Sequence, residues 1–537
     1  MKIGEKIIAL RIKSKLSQAN LAKKLNVSRQ SISKWESNES YPSLDKIIEL
    51  CNLFKITCDD LLKGNIVPED KVMETKPLSG KPKYFGTDGF RGEVNVKLTA
   101  DHAYKIGRFL GWYYSKHTNK QPRILIGKDT RRSSYMYEYA IAAGVSASGA
   151  DASLLHVTTS PSIAYVVRQD EFNCGVMITA SHNPYYDNGI KIINNKGEKI
   201  DDSVALLIEA YIDGNLKALG VKGNDLPLAA KEHVGTITDY YSGRNRYIAY
   251  LISLAKHSMR SLKIGLDTAN GCSYMIAKSV FEALGAQITI INNTPDGTNI
   301  NRNAGSTHIE GLCKLVKDNN LDLGFAFDGD ADRCIAVDEK GHVVDGDKII
   351  YLLAMKLKEE NALTNNTVVT TIMSNSGLVK ALKKEKINNI QTNVGDRFVY
   401  EKMQEGNFAL GGEQSGHIII RKYASTGDGI LTAIMVTEEV LKSKLTLSKL
   451  VEPVKLLPQK TVSVRVTNQK AVLDDEVVMK EYNKINDAIS DNGRILLRKS
   501  GTEPVIRIMV ERPTIKDCDY YINLMYKVIR KRGYACE

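Results

Sequence analysis

The stretch 175–193, GVMITASHNPYYDNGIKII, sets an apolar run against a polar turn and then a second apolar run. Val176, Met177 and Ile178 read as a buried strand. Asn183-Pro184 and Asp187-Asn188-Gly189 are turn-formers, because proline presets φ while asparagine and glycine tolerate left-handed geometry. Ser181 is therefore expected on a loop just past a strand end. Working outward, strand-like runs recur from Lys83 onward in RILIGKD, ADASLLHV, LKIGLDT, QITIIN, LDLGFAFD and CIAVD, with helical stretches between them. Such alternation implies α/β layers whose functional groups sit on loops at strand ends. From about Leu456, KTVSVRVT and VIRIMVE alternate as strands of a smaller α+β domain.

A chain of 537 residues needs several domains, and 43% hydrophobic with 25% charged residues is a globular balance. No run of about 18 apolar residues occurs, and MKIGEKIIALRIKSK lacks the apolar stretch of a signal peptide. The expectation is a cytoplasmic protein with no membrane partner. Eight cysteines without a C-x-x-C pair read as reduced, mostly buried thiols.

The net charge of +12 is uneven: residues 1–64 alone hold 12 Lys/Arg against 7 Asp/Glu. Their periodicity is helical. Ile3, Ile7, Leu10 and Ile12 begin one helix, and SQANLAKKLNVSRQSISKWE reads as two short helices joined by a tight turn, capped by Ser17 and Ser28. YPSLDKIIELCNLF adds an amphipathic helix with Ser43 as cap, and TCDDLLKG closes the unit at Gly64. The pattern resembles the helix-turn-helix domains of the Cro and lambda-repressor type. That resemblance places Arg29, Gln30, Ser31 and Lys34 toward DNA, with Gln30 suited to adenine and Arg29 to guanine. Lys34 and Gln18 would hold phosphates. The partner implied is double-stranded DNA, bound as a homodimer. Residues 65–82, rich in proline and charge, read as a tether.

Three further loops carry chemistry. In FAFDGDADRCIAVDE, Asp328, Asp330 and Asp332 alternate, so three carboxylates converge and require a cation; an all-oxygen set favours Mg²⁺. A calcium EF-hand fails because Arg333 occupies the place that needs glycine and the flanks are strand-like. LGGEQSGHIII offers Glu413, Gln414, Ser415 and His417 beside three glycines, a set suited to a polyhydroxyl ligand. LLRKSGTEPVIRIMVE gathers Arg498, Lys499, Ser500, Gly501, Thr502 and Arg507 around a glycine turn as a phosphate cradle. No activating triad accompanies Ser181, so a phosphate carrier fits it better than a hydrolytic nucleophile. A phosphoserine's charge of about −2 would be balanced by a metal on the aspartates.

Taken in order, TASHNP, DGDADR, GGEQSGH and RKSGTEP, preceded by YFGTDGFRG, make residues 83–537 resemble the bacterial phosphoglucosamine mutase branch of the α-D-phosphohexomutase superfamily. The resemblance implies a multidomain fold: three similar α/β domains and a smaller α+β domain around a central cleft, here behind an all-α helix-turn-helix bundle. Expected boundaries are 1–64, a linker at 65–82, and mutase domains at 83–237, 238–343, 344–452 and 453–537. The activity implied is interconversion of glucosamine 6-phosphate and glucosamine 1-phosphate, primed by a hexose 1,6-bisphosphate. Ser181 is then the phosphoserine and, with the three aspartates, a Mg²⁺ ligand. Arg91, Lys191, His182, Arg333 and His417 join the catalytic set, with the general base left open among Arg91, Lys191 and His417. Glu413 and Ser415 match sugar contacts, and Arg498, Ser500, Gly501, Thr502 and Arg507 the distal phosphate site. Asp396 lies where related mutases have histidine and receives no role. Alternatives are a sugar-phosphate-sensing regulator with a weakly active mutase half, and a phosphoglucomutase or phosphomannomutase. The front module also reads as a dimerisation element.

Overall fold

The computed structural model of the chain describes residues 3–14, 16–54, 56, 61, 80–86, 88–118, 120–500 and 504–536. Four helices open it: α1 (Ile3–Lys13), α2 (Gln18–Lys24), α3 (Arg29–Glu36) and α4 (Leu44–Phe54). Ser17 accepts from the Asn20 N–H and Ser28 from the Ser31 N–H, so both predicted caps are made. Ile7, Leu10, Leu21, Leu25, Ile32, Trp35 and Leu50 bury against one another as a core of their own. Beneath it, Arg11 grips the buried Glu36 carboxylate at 2.6 and 3.1 Å, joining α1 to α3. The closing turn at 57–64, apart from Leu61, and residues 65–79 of the expected tether lie outside the described residues.

The first sheet contains β1 (Phe85–Gly86), β2 (Gly89–Glu93), β3 (Arg123–Lys128), β4 (Asp151–Val157), β5 (Cys174–Ile178), β6 (Asp187–Asn194) and β7 (Ile237–Asp239), in the spatial order β1-β2-β6-β5-β3-β4-β7. Ile124 and Ile126 face one hydrophobic cluster and Leu125 the other, as a strand buried on both faces requires. The second sheet, β8 (Lys263–Asp267), β9 (Gln287–Ile291), β10 (Leu323–Phe327), β11 (Cys334–Asp338) and β12 (Val343–Val344), is ordered β12-β11-β10-β8-β9. The third, β13 (Thr367–Thr371), β14 (Asn388–Thr392), β15 (Leu410–Gly412) and β16 (Ile418–Ile420), is ordered β14-β13-β15-β16. A fourth, wholly antiparallel sheet joins β17 (Gln459–Arg465), β18 (Arg494–Lys499) and β19 (Val505–Glu511) in the order β17-β19-β18.

One feature repeats in all four. The parallel part of each of the first three sheets ends in an antiparallel pair, β5/β6, β10/β11 and β15/β16, and β18/β19 forms the same pair in the fourth. The chemistry-bearing loops found in the sequence are the connections of these four pairs. The second and third sheets share one continuous core, whereas the fourth packs on its own around Ile506, Ile508, Ile522 and Met525. Cys174, Cys272, Cys334 and Cys518 are buried free thiols. Among the described residues no helix is long and apolar enough to cross a membrane.

Candidate active site

Ser181 sits in the β5–β6 connection with φ 52°, a left-handed turn held by its N–H donating to Thr179 Oγ1 at 2.9 Å. The Ser181 carbonyl accepts from Arg131 Nη2 at 2.9 Å and from Asn301 Nδ2 at 2.8 Å, so the segments that follow β3 and β9 both grip the loop. Gly329 lies against the same carbonyl; a Cβ there would fall 2.5 Å from it. That close approach explains the glycine between Asp328 and Asp330.

Contact between the loops brings the Ser181 hydroxyl to Asp328, to which it donates at 2.6 Å. One oxygen from each of Asp328, Asp330 and Asp332 lies within 4.8 Å of the others, and all three residues are buried. Burial, then Asp332 and Asp330, push the Asp328 carboxyl well above its ordinary range. Asp330 Oδ1 and Asp332 Oδ1 are buried and accept no hydrogen bond. Crowded all-oxygen donors with two open buried acceptors fit a hard divalent cation.

The return strand β6 carries Lys191, whose ammonium reaches Asp330 at 2.8 Å, Asp88 at 3.1 Å and Asp332 at 3.3 Å. Burial acts to lower its pKa, yet these carboxylates hold it well above the ordinary lysine value. Lys191 is thus a fixed positive charge. Arg91, on β2 and in register with Gly189 of β6, pairs with Asp88 from the same side. His182 places Nδ1 3.3 Å from Ser181 Oγ. Burial, reinforced by Arg333 and Arg91, drives its pKa down to about 4, so it is neutral. Ser160 donates to Asp330 Oδ2 at 2.5 Å.

Arg333 and His417 form a backbone bridge that ties the aspartate loop to the β15–β16 loop. The tie is tight: Gly416 has φ 91°, and a Cβ there would lie 2.4 Å from the Cys334 carbonyl. His417 Nδ1 stands 3.7 Å from Asp332 and Nε2 3.6 Å from Asp396. Burial would lower its pKa, but Asp332 and Asp396 raise it to about 9. The Gly427 N–H donates to Nε2 at 3.1 Å, which requires a lone pair there. An accepting Nε2 leaves a ring proton on Nδ1, the nitrogen that faces Asp332. In the same loop Glu413 accepts from the Gly395 N–H at 3.1 Å, and Ser415 is exposed at the tip.

On the fourth sheet, Arg498 and Arg507 are direct cross-strand partners. Burial, then Arg507, lower the Arg498 pKa, while Glu413 acts in the opposite sense across the cleft. Arg498 Nε is buried without a hydrogen-bond partner, and Ser500 is buried beside it, its N–H on the Val505 carbonyl at 3.0 Å. Two guanidiniums on neighbouring strands suit an anion. Gly501 and Thr502 lie outside the described residues.

The front module presents Arg29, Gln30 and Lys34 outward on α3. Ser31 Oγ is 2.9 Å from Ser28 Oγ, within the helix cap, and Gln18 Nε2 donates to Glu36 Oε2 at 2.7 Å. Ser33, exposed one turn on from Arg29 and Gln30, went unnoticed in the sequence although the helical period points to it. Asp88 and Ser160 were also missed. Asp88 was legible as the acid beside Arg91 in FGTDGFRG; Ser160 leaves no signal because only the fold brings it to Asp330.

Residues 82–218, 245–341, 345–456 and 462–519 match the models of phosphoglucomutase/phosphomannomutase domains I, II, III and the C-terminal domain, and residues 7–61 match a helix-turn-helix model. A phosphoglucosamine mutase of Lachnospira eligens is 54% identical over 454 residues, spanning 84% of this chain and 99% of that one. A phosphoglucomutase/phosphomannomutase family protein of Burkholderia thailandensis shares the fold at a TM-score of 0.68 and 20% identity, over 83% of this chain and 97% of that one. The N-acetylphosphoglucosamine mutase of Aspergillus fumigatus, solved with GlcNAc-6P and magnesium, aligns at a TM-score of 0.58 and 17% identity, over 87% and 99% of the chains.

Proposed function

The chain belongs to the phosphoglucosamine mutase family, and on that premise we propose that it interconverts glucosamine 6-phosphate and glucosamine 1-phosphate with Ser181 as phosphoryl carrier. The observation that carries this reading is the Ser181 hydroxyl set 2.6 Å from Asp328, within a nest of three carboxylates. An ester on that oxygen would deliver its phosphoryl group to the nest. Asp328, Asp330 and Asp332 would hold Mg²⁺, which when bound neutralises phosphoryl oxygens.

In the forward half-reaction the C1 hydroxyl of glucosamine 6-phosphate attacks the phosphorus of phospho-Ser181. The bond from phosphorus to Ser181 Oγ breaks, and a 1,6-bisphosphate forms. The hydroxyl proton leaves to a base, and Ser181 Oγ regains a proton. After the bisphosphate turns over, Ser181 Oγ attacks the 6-phosphoryl group, releasing glucosamine 1-phosphate. Lys191 and Arg91 supply fixed charge to the transferring group. The neutral His182 lies against Ser181 Oγ, and His417, with a proton on Nδ1 facing Asp332, is positioned to exchange protons within the cleft. Arg333 braces the aspartate loop. Glu413 and Ser415 hold sugar hydroxyls, while Arg498, Ser500, Gly501, Thr502 and Arg507 hold whichever phosphate is not reacting; the arginine pair suits this because it reads charge, not one ester's shape. Hexose 1,6-bisphosphate restores the phosphoserine whenever the intermediate escapes. Buried free thiols accord with a reducing cytoplasm.

For the front module we propose double-stranded DNA as partner, read in the major groove by Arg29, Gln30 and Ser31, with Lys34 and Gln18 on phosphates and two chains supplying two half-sites. The outward placement of Arg29, Gln30 and Lys34 on α3 supports it. The test of the catalytic reading is phosphorus NMR of the purified chain with glucosamine 6-phosphate, Mg²⁺ and a trace of bisphosphate, scored against glucose and mannose 6-phosphates. Growth of a glucosamine 1-phosphate signal is expected; exclusive turnover of the neutral sugars contradicts it.

A further inference from the structure

A cleft of about 190 Å³ between the first and third sheets runs from Lys191 and Asp332 to His417 and Asp396. Seven of its lining side chains are carboxylates and only three are lysine or arginine. An acidic wall repels a phosphate, so this part of the cleft is built for something else. Both ends already hold the phosphates on the reading above: the aspartate nest with its cation at one, and Arg498 with Arg507 at the other. The middle of the substrate differs from glucose phosphate in one respect, an amine at C2 that is cationic at neutral pH.

Most of the seven acids are committed. Asp88 answers Lys191 and Arg91, and Asp332 belongs to the metal nest. Glu198 accepts from Tyr400 at 2.8 Å and Gln404 at 2.7 Å, and Arg397 takes Asp202 at 2.6 Å and Glu401 at 2.7 Å. Asp201 is exposed at the rim. Asp396 alone borders both working parts. Its Oδ2 is 3.6 Å from His417 Nε2, and its neighbour Gly395 donates to the sugar-loop Glu413 at 3.1 Å. Its covering cation is Lys199, at 2.6 and 2.7 Å, which is one-third exposed and also faces Asp88 at 3.9 Å.

We propose that Asp396 is the specificity residue for the 2-amino group: its carboxylate receives the substrate ammonium beside His417, Lys199 shifting toward Asp88. This rests on the glucosamine reading of the site. A carboxylate–ammonium hydrogen bond discriminates against a neutral hydroxyl by roughly 10- to 100-fold.

The test is calorimetric binding of glucosamine 6-phosphate and glucose 6-phosphate to the full-length protein, with kcat and KM for both. In Asp396→Asn the preference for the amino sugar should collapse toward parity while glucose 6-phosphate affinity stays within about 2-fold. Asp396→Glu should restore part of the preference. Lys199→Ala, which frees the carboxylate, should keep or widen it. A preference retained in Asp396→Asn, an equal loss for both sugars, or a preference lost in Lys199→Ala overturns the assignment. Wild-type protein that binds no glucosamine phosphate defeats the proposed function itself.

Discussion

Arg498 and Arg507 stand directly opposite each other on β18 and β19, and Arg494 and Glu511 do so four residues away along the same ladder. One couple is an ion pair and the other sets two guanidiniums side by side. Arg494 donates to Glu511 at 2.6 Å and also to the carbonyls of Ile372 and Ser374, so the neutral couple docks the fourth sheet on the third domain. Arg498 faces Glu413 across the cleft.

That arrangement predicts a loss of function without a loss of fold. Arg498→Ala should raise KM for the sugar phosphate by about 10-fold or more, since a charge-assisted phosphate contact is lost. The same change should leave the fourth domain's stability within about 0.5 kcal/mol, because Arg498 lies outside that domain's core. Steady-state kinetics and urea denaturation of one preparation check both. Lower stability together with unchanged KM would contradict it.

Arg494→Ala should act through its neighbour. We expect a higher KM with kcat little changed, and an Arg494→Ala/Arg498→Ala double variant no worse in KM than Arg498→Ala alone. Full additivity would mean that the docking couple does not position the phosphate arginines.

Glu36 is buried and depends on Arg11 and Gln18. Removing Arg11 leaves a buried carboxylate without its cation, a loss of about 3–5 kcal/mol, comparable to the whole stability of so small a unit. Arg11→Ala should therefore unfold the front module and abolish DNA binding while mutase turnover persists, because the two cores are separate. Limited proteolysis and an activity assay report the two halves independently. Loss of turnover would show that the module supports the enzyme.

Asp428 caps the helix Gly429–Ser443 and accepts from Tyr247 at 2.7 Å, and burial raises its pKa from 3.8 to about 6. Between those values the folded chain keeps a proton that the unfolded chain has released, so stability falls as pH rises through about 6. At about 1.4 kcal/mol per pH unit the loss is roughly 3 kcal/mol. Asp428→Asn keeps the capping oxygen and lacks the titration. Its stability relative to wild type should climb by that amount from pH 4 to 7 in urea titrations; a constant difference would contradict the assignment.

Much of the site was legible because its residues are contiguous. Ser181, the aspartate triad and Glu413 each lie in a short polar connection flanked by apolar runs, with Arg498 at the edge of another, and such contrast survives in one dimension. Strand direction was not legible. Alternation placed the loops at strand ends and left direction open; each loop joins an antiparallel pair, which is why Lys191 and His417 return beside the loop that precedes them. Contacts made across domains left no trace either: Ser160 on Asp330, Asn301 on the Ser181 carbonyl and Lys199 on Asp396 are separated by scores of residues. Asp396 was noticed and given no role, since its significance comes from the acidic wall around it.

Phosphopeptide mapping of the enzyme during turnover tests the carrier most directly. With glucosamine 6-phosphate, Mg²⁺ and bisphosphate present, one phosphoryl ester should be found, on Ser181, and Ser181→Ala should fold normally, carry no ester and lose all mutase activity. A turning-over enzyme whose Ser181 stays unmodified, or a Ser181→Ala variant that still isomerises substrate, contradicts the account.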